Sequence, residues 1–177
     1  MNNTQTSTCR FYVNRVDTSE GTAPEMVFTM GLPAAGKSTY VERALAATHN
    51  VIDPDEVKKT LPGYDPQNPM TTHAESKDIT DRMFDDALAS GDGLHVVDGT
   101  GCKPEKMIQR IQRSRAAGFT VRLVYVECSL DNSLLRNSQR ERLVPEYVIR
   151  EKATQIEASY SAIKDYADSV RVVNTDD

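Results

Sequence analysis

Apolar residues in this chain gather into short unbroken runs, separated by longer stretches in which they recur every three or four positions. The runs at 25–30 (EMVFTM), 50–53 (NVID), 120–128 (TVRLVYVEC) and 169–173 (SVRVV) are too short for stable helices. They are rich in β-branched and aromatic residues, so each predicts a strand. Residues 94–101 (LHVVDGTG) read as another strand that ends in a turn. The stretches between them have the helical period. Residues 37–47 are helical in composition, and over 72–90 Ile79, Met83 and Ala87 recur every four, which predicts one buried stripe. Pro104 opens a helix that Gly118 closes, and a further helix spans 130–139. From Pro145 a long helix carries Ile149, Ala153, Ile156, Tyr160, Ile163 and Ala167. Three prolines and a glycine make 61–70 a loop.

Strands alternating with helices predict a parallel sheet covered on both faces. Residues 25–177 are read as one such domain. Residues 1–24 form a polar N-terminal segment in which 9–16 (CRFYVNRV) are a possible edge strand.

Composition adds limits. No run approaches the roughly 18 apolar residues of a membrane helix, and the N-terminus lacks an apolar signal core, so a cytoplasmic protein is expected. Cys9, Cys102 and Cys128 show no metal-ligand or disulfide spacing. The net charge of −5 is uneven: residues 1–102 carry −7, residues 103–152 carry +5 and residues 153–177 carry −3. The basic block is either a set of solvated helix faces or a surface that handles phosphates.

The chemistry begins at residues 30–40, MGLPAAGKSTY. A glycine, four residues and then Gly-Lys-Ser, placed between a strand and a helix, form a phosphate-cradling loop. Successive N–H groups of Gly31, Ala34, Ala35 and Gly36 would face a β-phosphate, with Ser38 and Thr39 opening the helix beyond. Lys37 would reach the β- and γ-phosphates and Ser38 would offer a hydroxyl to Mg²⁺. The expected fold is therefore an α/β P-loop three-layer sandwich, with a five-stranded parallel sheet and a helical lid, binding ATP and Mg²⁺.

Ligands of open parallel sheets lie outside the carboxyl ends of the strands. Asp53 and Asp55 follow the second strand, where a carboxylate can take the proton of an attacking hydroxyl. Asp55 is the expected base, and Asp53 either shares that role or caps the next helix. Asp98 and Thr100, at the next strand end, are candidates for orienting the acceptor, and Asp98 also for the metal, with Gly99 and Gly101 allowing close approach. Arg136, Arg140 and Arg142 cluster where helix gives way to a short lid, and Arg136 and Arg140 are expected to meet transition-state charge. His73 and Glu75 open a helix and are acceptor-contact candidates. Tyr64 is a candidate for stacking on a base, or a loop aromatic packed on the core.

The order GLPAAGKST, DPDEVK, HAES, DGTG and RNSQRERLVP over residues 26–173 resembles the zeta-toxin and polynucleotide-kinase branch of P-loop kinases. HAES and DGTG look most like the zeta type, and RNSQR followed by VP most like bacteriophage polynucleotide kinases. The resemblance implies that Asp55 is the general base and Arg140 the lid arginine. It also implies that Lys58 holds the place of an acceptor-binding arginine, a departure because lysine cannot form the bidentate fork. A phosphotransferase is implied. Its acceptor is a 5′-hydroxyl or a hydroxymethyl base of a nucleic acid, favoured by the short inserts and the basic block, or a UDP-amino-sugar. A nucleotide-sensing module without catalysis is the third reading. The guanine-reading Asn-Lys-x-Asp is absent. The sequence leaves the oligomeric state open.

Overall fold

The computed structural model describes residues 23–65, 68 and 70–176. The possible edge strand at 9–16 lies outside them. Five strands form one parallel sheet: β1 (Glu25–Met30), β2 (Asn50–Ile52), β3 (Leu94–Val97), β4 (Thr120–Glu127) and β5 (Ser169–Asn174), in the order β2-β3-β1-β4-β5. Residue 25 of β1 pairs with Leu94 of β3 on one side and Thr120 of β4 on the other. β1 is central and its last five residues are buried, as expected for a strand covered on both faces.

Six helices connect the strands: α1 (Lys37–Ala44), α2 (Pro54–Thr60), α3 (His73–Ser90), α4 (Pro104–Ala116), α5 (Leu130–Ser138) and α6 (Glu146–Ile163). A 3₁₀ turn (Lys164–Tyr166) follows α6, so Ala167 lies past the helix that the sequence period extended to it. The core joins Met26, Phe28 and Met30 of β1 with Phe84 of α3, Ile111 of α4 and Ile156 and Ile163 of α6. β5 closes one side of the sheet, with Val170 and Val172 exposed.

The buried stripe of α3 differs from the expected one. Ser76, Thr80, Phe84 and Ala87 are buried, whereas Ile79 and Met83 are half-buried. Phe84 sets this rotation by meeting Phe28 edge-on at 6.2 Å. The two hydroxyls can be buried because they donate to the helix's own carbonyls, Ser76 to His73 (2.9 Å) and Thr80 to Ser76 (3.0 Å).

Candidate active site

The glycine-rich loop, Asp53 and Asp98 each follow the carboxyl end of a strand, whereas Lys58 lies in α2, His73 and Glu75 open α3, and the lid arginines end or follow α5. At the end of β1 the chain turns through Gly31, whose φ of +148° few side chains tolerate. A Cβ there would lie 2.4 Å from the carbonyl oxygen of Val126, so only glycine lets the loop cross β4 so closely. Ala34 holds φ +59°, a left-handed conformation that costs a non-glycine residue about 1–2 kcal/mol. α1 then begins at Lys37.

Lys37 is buried, and its Nζ donates to the carbonyls of Gly31 (3.1 Å) and Leu32 (2.7 Å). Burial pulls its pKa below the ordinary lysine value, the charge of Asp98 opposes that shift, and Arg140 and Lys152 add to it. The charges of Asp98 after β3, Arg140 of the lid and Lys152 of α6 are thus all felt at Lys37. Ser38 and Thr39 are exposed.

The loop after β3 is sewn to the glycine-rich loop. The N–H of Gly31 donates to Thr100 O (3.0 Å), and a Cβ on Gly101 would meet Met30 Cβ at 2.5 Å. Thr29 donates to Asp98 Oδ1 and accepts from the N–H of Gly99 (3.1 Å), so one fully buried hydroxyl fixes the Asp98 carboxylate. Thr29 was not singled out from the sequence. Its signal was there, since it is the one uncharged polar residue in the run EMVFTM. Lys152 was also missed, because a lysine on an ordinary helical face carries no local mark.

Asp53 caps α2, its Oδ1 accepting from the N–H of Asp55 at 2.7 Å. Burial, first, and the facing charge of Asp98 push its pKa up to about 6. In Asp55 burial also acts upward. The hydrogen bond and charge of Lys58, with Arg142, outweigh it and hold the carboxyl below its usual range. Lys58 Nζ lies 2.9 Å from Asp55 Oδ1 and Arg142 Nη1 3.4 Å from the same atom. Lys58 is buried against its own helix partner, which is not the open position implied for an acceptor-binding cation.

The lid arginines separate. Arg136, expected at the phosphates, donates to Thr175 Oγ1 (3.0 Å) and to the Thr175 carbonyl. Thr175 in turn donates to Ala35 O (2.9 Å), so Arg136 braces the back of the phosphate loop. His73 and Glu75 are exposed at the start of α3, and the side chains of His73, Glu75 and Thr100 make no hydrogen bond among the described residues. Tyr64 is half-buried.

Much of the basic block is already paired. Arg110 and Lys106 bind Asp81, Arg113 binds Asp85, Arg115 binds Asp168, Arg122 binds Glu25 and Arg150 binds Glu146. Most of that block is therefore interhelix and surface ion pairs, and Lys103, Arg136, Arg140 and Lys152 are its cations in no ion pair among the described residues.

The Asp53 environment gives a stability test. Its folded pKa lies above the unfolded value near 3.8, so the native state holds the proton more tightly and stability falls as pH rises from about 4 to about 6. Asparagine keeps the capping oxygen and removes the charge. Without divalent cations, Asp53→Asn is expected to raise Tm at pH 7 and to leave it unchanged below pH 4. Thermal melts at both pH values measure this, and equal shifts at both would reject it.

Residues 26–163 match the family model of the AAA domain. No curated protein matches the sequence. Among solved structures, the chain is similar to one from the PezAT chromosomal toxin-antitoxin system of Streptococcus pneumoniae. The TM-score is 0.70 and the identity 16%, covering 90% of this chain and 70% of that one. It is similar to AvrRxo1-ORF1:-ORF2 with ATP at TM-score 0.58 and 22% identity, covering 82% and 49%. It is also similar to the Pnkp1/Rnl/Hen1 RNA repair complex at TM-score 0.57 and 14% identity, covering 81% and 48%. The chain spans about half the length of the last two. At these identities the likeness is one of fold.

Proposed function

This chain belongs to the AAA domain family, and from that membership we propose that it is a kinase transferring the γ-phosphoryl group of ATP to a hydroxyl, with a nucleic-acid hydroxyl as the favoured acceptor. The observation that carries the reading is the buried Lys37 of the glycine-rich loop, held by the Gly31 and Leu32 carbonyls, with that loop bonded to the strand end that carries Asp98. A fold neighbour solved with ATP supports the donor.

In the reaction, Asp55 takes the proton of the acceptor hydroxyl as its oxygen bonds to the γ-phosphorus. The bond from that phosphorus to the β–γ bridging oxygen breaks, and its electron pair leaves with ADP. Lys37, Arg140 and Lys152 face the charge that spreads onto the phosphoryl oxygens. Asp55 suits the base because its side chain is 58% exposed, open to an acceptor, whereas Asp53 is committed to the α2 cap.

The site also fits magnesium. Asp98 and the exposed Ser38 hydroxyl are hard oxygen donors, the kind that hold such an ion together with substrate phosphates. When bound, it would neutralise phosphate charge, and Thr29 would keep Asp98 aimed at it.

The motif resemblance and the short inserts favour a polymer acceptor, while the ion pairs on α4 remove part of the charge argument. The deciding experiment incubates γ-labelled ATP with 5′-hydroxyl oligonucleotides, hydroxymethyl-base DNA and UDP-amino-sugars. A polymer acceptor should show a log–log salt slope in apparent KM near −0.7 to −0.9 per phosphate contacted, expressed as affinity. Charge reversal at Lys103, which bears no ion pair, should weaken that acceptor and spare ATP. A UDP-sugar, with two phosphates in one pocket, should respond weakly. Labelled UDP-sugar with no labelled oligonucleotide would make the sugar the acceptor, and ATP binding with no product at all would leave a sensing module.

A further inference from the structure

The three lid arginines share a sequence cluster, yet the fold gives them different partners, and Arg142 has the least expected one. It reaches across 87 residues of sequence to Asp55. The oxygen it meets, Oδ1, is the one that already accepts Lys58 at 2.9 Å, while Oδ2 takes no hydrogen bond among the described residues. Lys58 is buried, so two cations hold one oxygen of a side chain that is otherwise 58% exposed.

The limb that carries Arg142 is also held. Asn137, buried at the end of α5, clamps Val144 in both directions: its Nδ2 donates to Val144 O (2.8 Å) and the Val144 N–H donates to its Oδ1 (3.0 Å). Residues 138–143 therefore form a closed loop on a single side chain, and Arg142 projects from that loop over α2. A two-cation grip on one oxygen orients a carboxylate more sharply than a single ion pair, because rotation of the group must now break both contacts.

We propose that Arg142 is a positioning residue that ties the lid to the general base, so that seating the lid and orienting Asp55 Oδ2 toward the acceptor proton are one event. The proposal rests on the reading of Asp55 as the base. It separates Arg142 from Arg140, whose charge is felt at Lys37 on the phosphate side. The rival is that Arg142 only rests on Asp55 and moves to the phosphates once ATP arrives.

The charged groups around Asp55 are Lys58 and Arg142, which favour its ionised form, and Asp53 beside it on α2. Removing Arg142 leaves Lys58 as the only cation on the carboxylate, so Asp55 should titrate at higher pH. A base must be deprotonated, so the acid limb of the rate should move up with it.

The test uses the full chain as wild type and as Arg142→Gln, Arg142→Lys, Arg140→Gln and Asp55→Asn. Carbon-13 NMR follows the Asp55 carboxyl, assigned by its loss in Asp55→Asn. The kcat of ATP-dependent labelling is measured against pH, with a 5′-hydroxyl oligonucleotide and, separately, with water as acceptor. Affinity is measured with a non-hydrolysable ATP analogue. Arg142→Gln is expected to raise the Asp55 titration by about 0.5–1 pH unit and to lower kcat about 10–100-fold, with analogue affinity kept within about twofold. Arg142→Lys should restore the titration and part of kcat. Arg140→Gln should weaken the analogue and leave the Asp55 titration in place. An unmoved titration in Arg142→Gln overturns the proposal, as does a loss confined to analogue affinity, which is the rival's signature. Normal turnover by Asp55→Asn overturns the reading of Asp55 as base, and the proposal with it, even if the titration moves.

Discussion

Lys37→Met is expected to stop phosphoryl transfer while the protein stays folded. A donor aimed at charge that develops in the transition state contributes about 10²–10³ in rate. Lys37 is buried and hydrogen-bonded to Gly31 O and Leu32 O. Two effects then oppose each other. Methionine leaves two carbonyls without that partner, at about 1–3 kcal/mol each if they stay dry. It also removes a buried charge that Arg140 and Lys152 repel. The net change in Tm should be small, whereas the rate should collapse. The measurement pairs a thermal melt with single-turnover labelling from γ-labelled ATP. Turnover within tenfold of wild type, in a folded variant, would refute the phosphate-loop assignment.

Asp55→Asn should lose about 10²–10⁴ in the chemical step, or roughly 3–5 kcal/mol, with ATP affinity nearly unchanged. The pH profile adds a check that mutation alone does not give. Asp55 sits below the usual carboxylate range, so with Asp55 as base the rate is flat through neutral pH and falls only in acid. Asp53 has a pKa of about 6, so with Asp53 as base the rate would already be halved near pH 6. By basicity alone Asp53 is the stronger proton acceptor. Geometry favours Asp55, since the Asp53 carboxylate is engaged at the helix cap. An acid limb near 6, together with a larger loss in Asp53→Asn than in Asp55→Asn, would reverse the two roles.

The sheet was legible because its strands are apolar runs and its helices carry period-four stripes, and both signals are local. The glycine-lysine-serine loop was legible because its backbone demands show in residue types. What escaped the sequence depends on distance. The α3 stripe turned on a contact between Phe84 and Phe28, 56 residues apart. The basic block looked free because Asp81 and Asp85, which neutralise Lys106, Arg110 and Arg113, lie on a different helix. Arg136 and Arg142 share one local cluster, and only folding sends Arg136 to Thr175, away from the expected phosphates, and Arg142 to Asp55. The cap was the exception. Asp-Pro before a helix carries its own meaning, and Asp53 sits where that meaning puts it.

The seam between the glycine-rich loop and the loop after β3 has a consequence for how such a protein can diversify. Gly31 is bonded to Thr100, Thr29 to Asp98, and Gly101 lies against Met30, so this half of the site belongs to the buried sheet and shares its intolerance of change. Residues 61–65, 68 and 70–73, and the lid residues 139, 141 and 143, lie outside the seam and are largely exposed. Surface substitutions of that kind cost little stability. Mutations can therefore accumulate there while the seam stays fixed, and on the proposed kinase reading a lineage built on this frame could change its acceptor without rebuilding its phosphate loop.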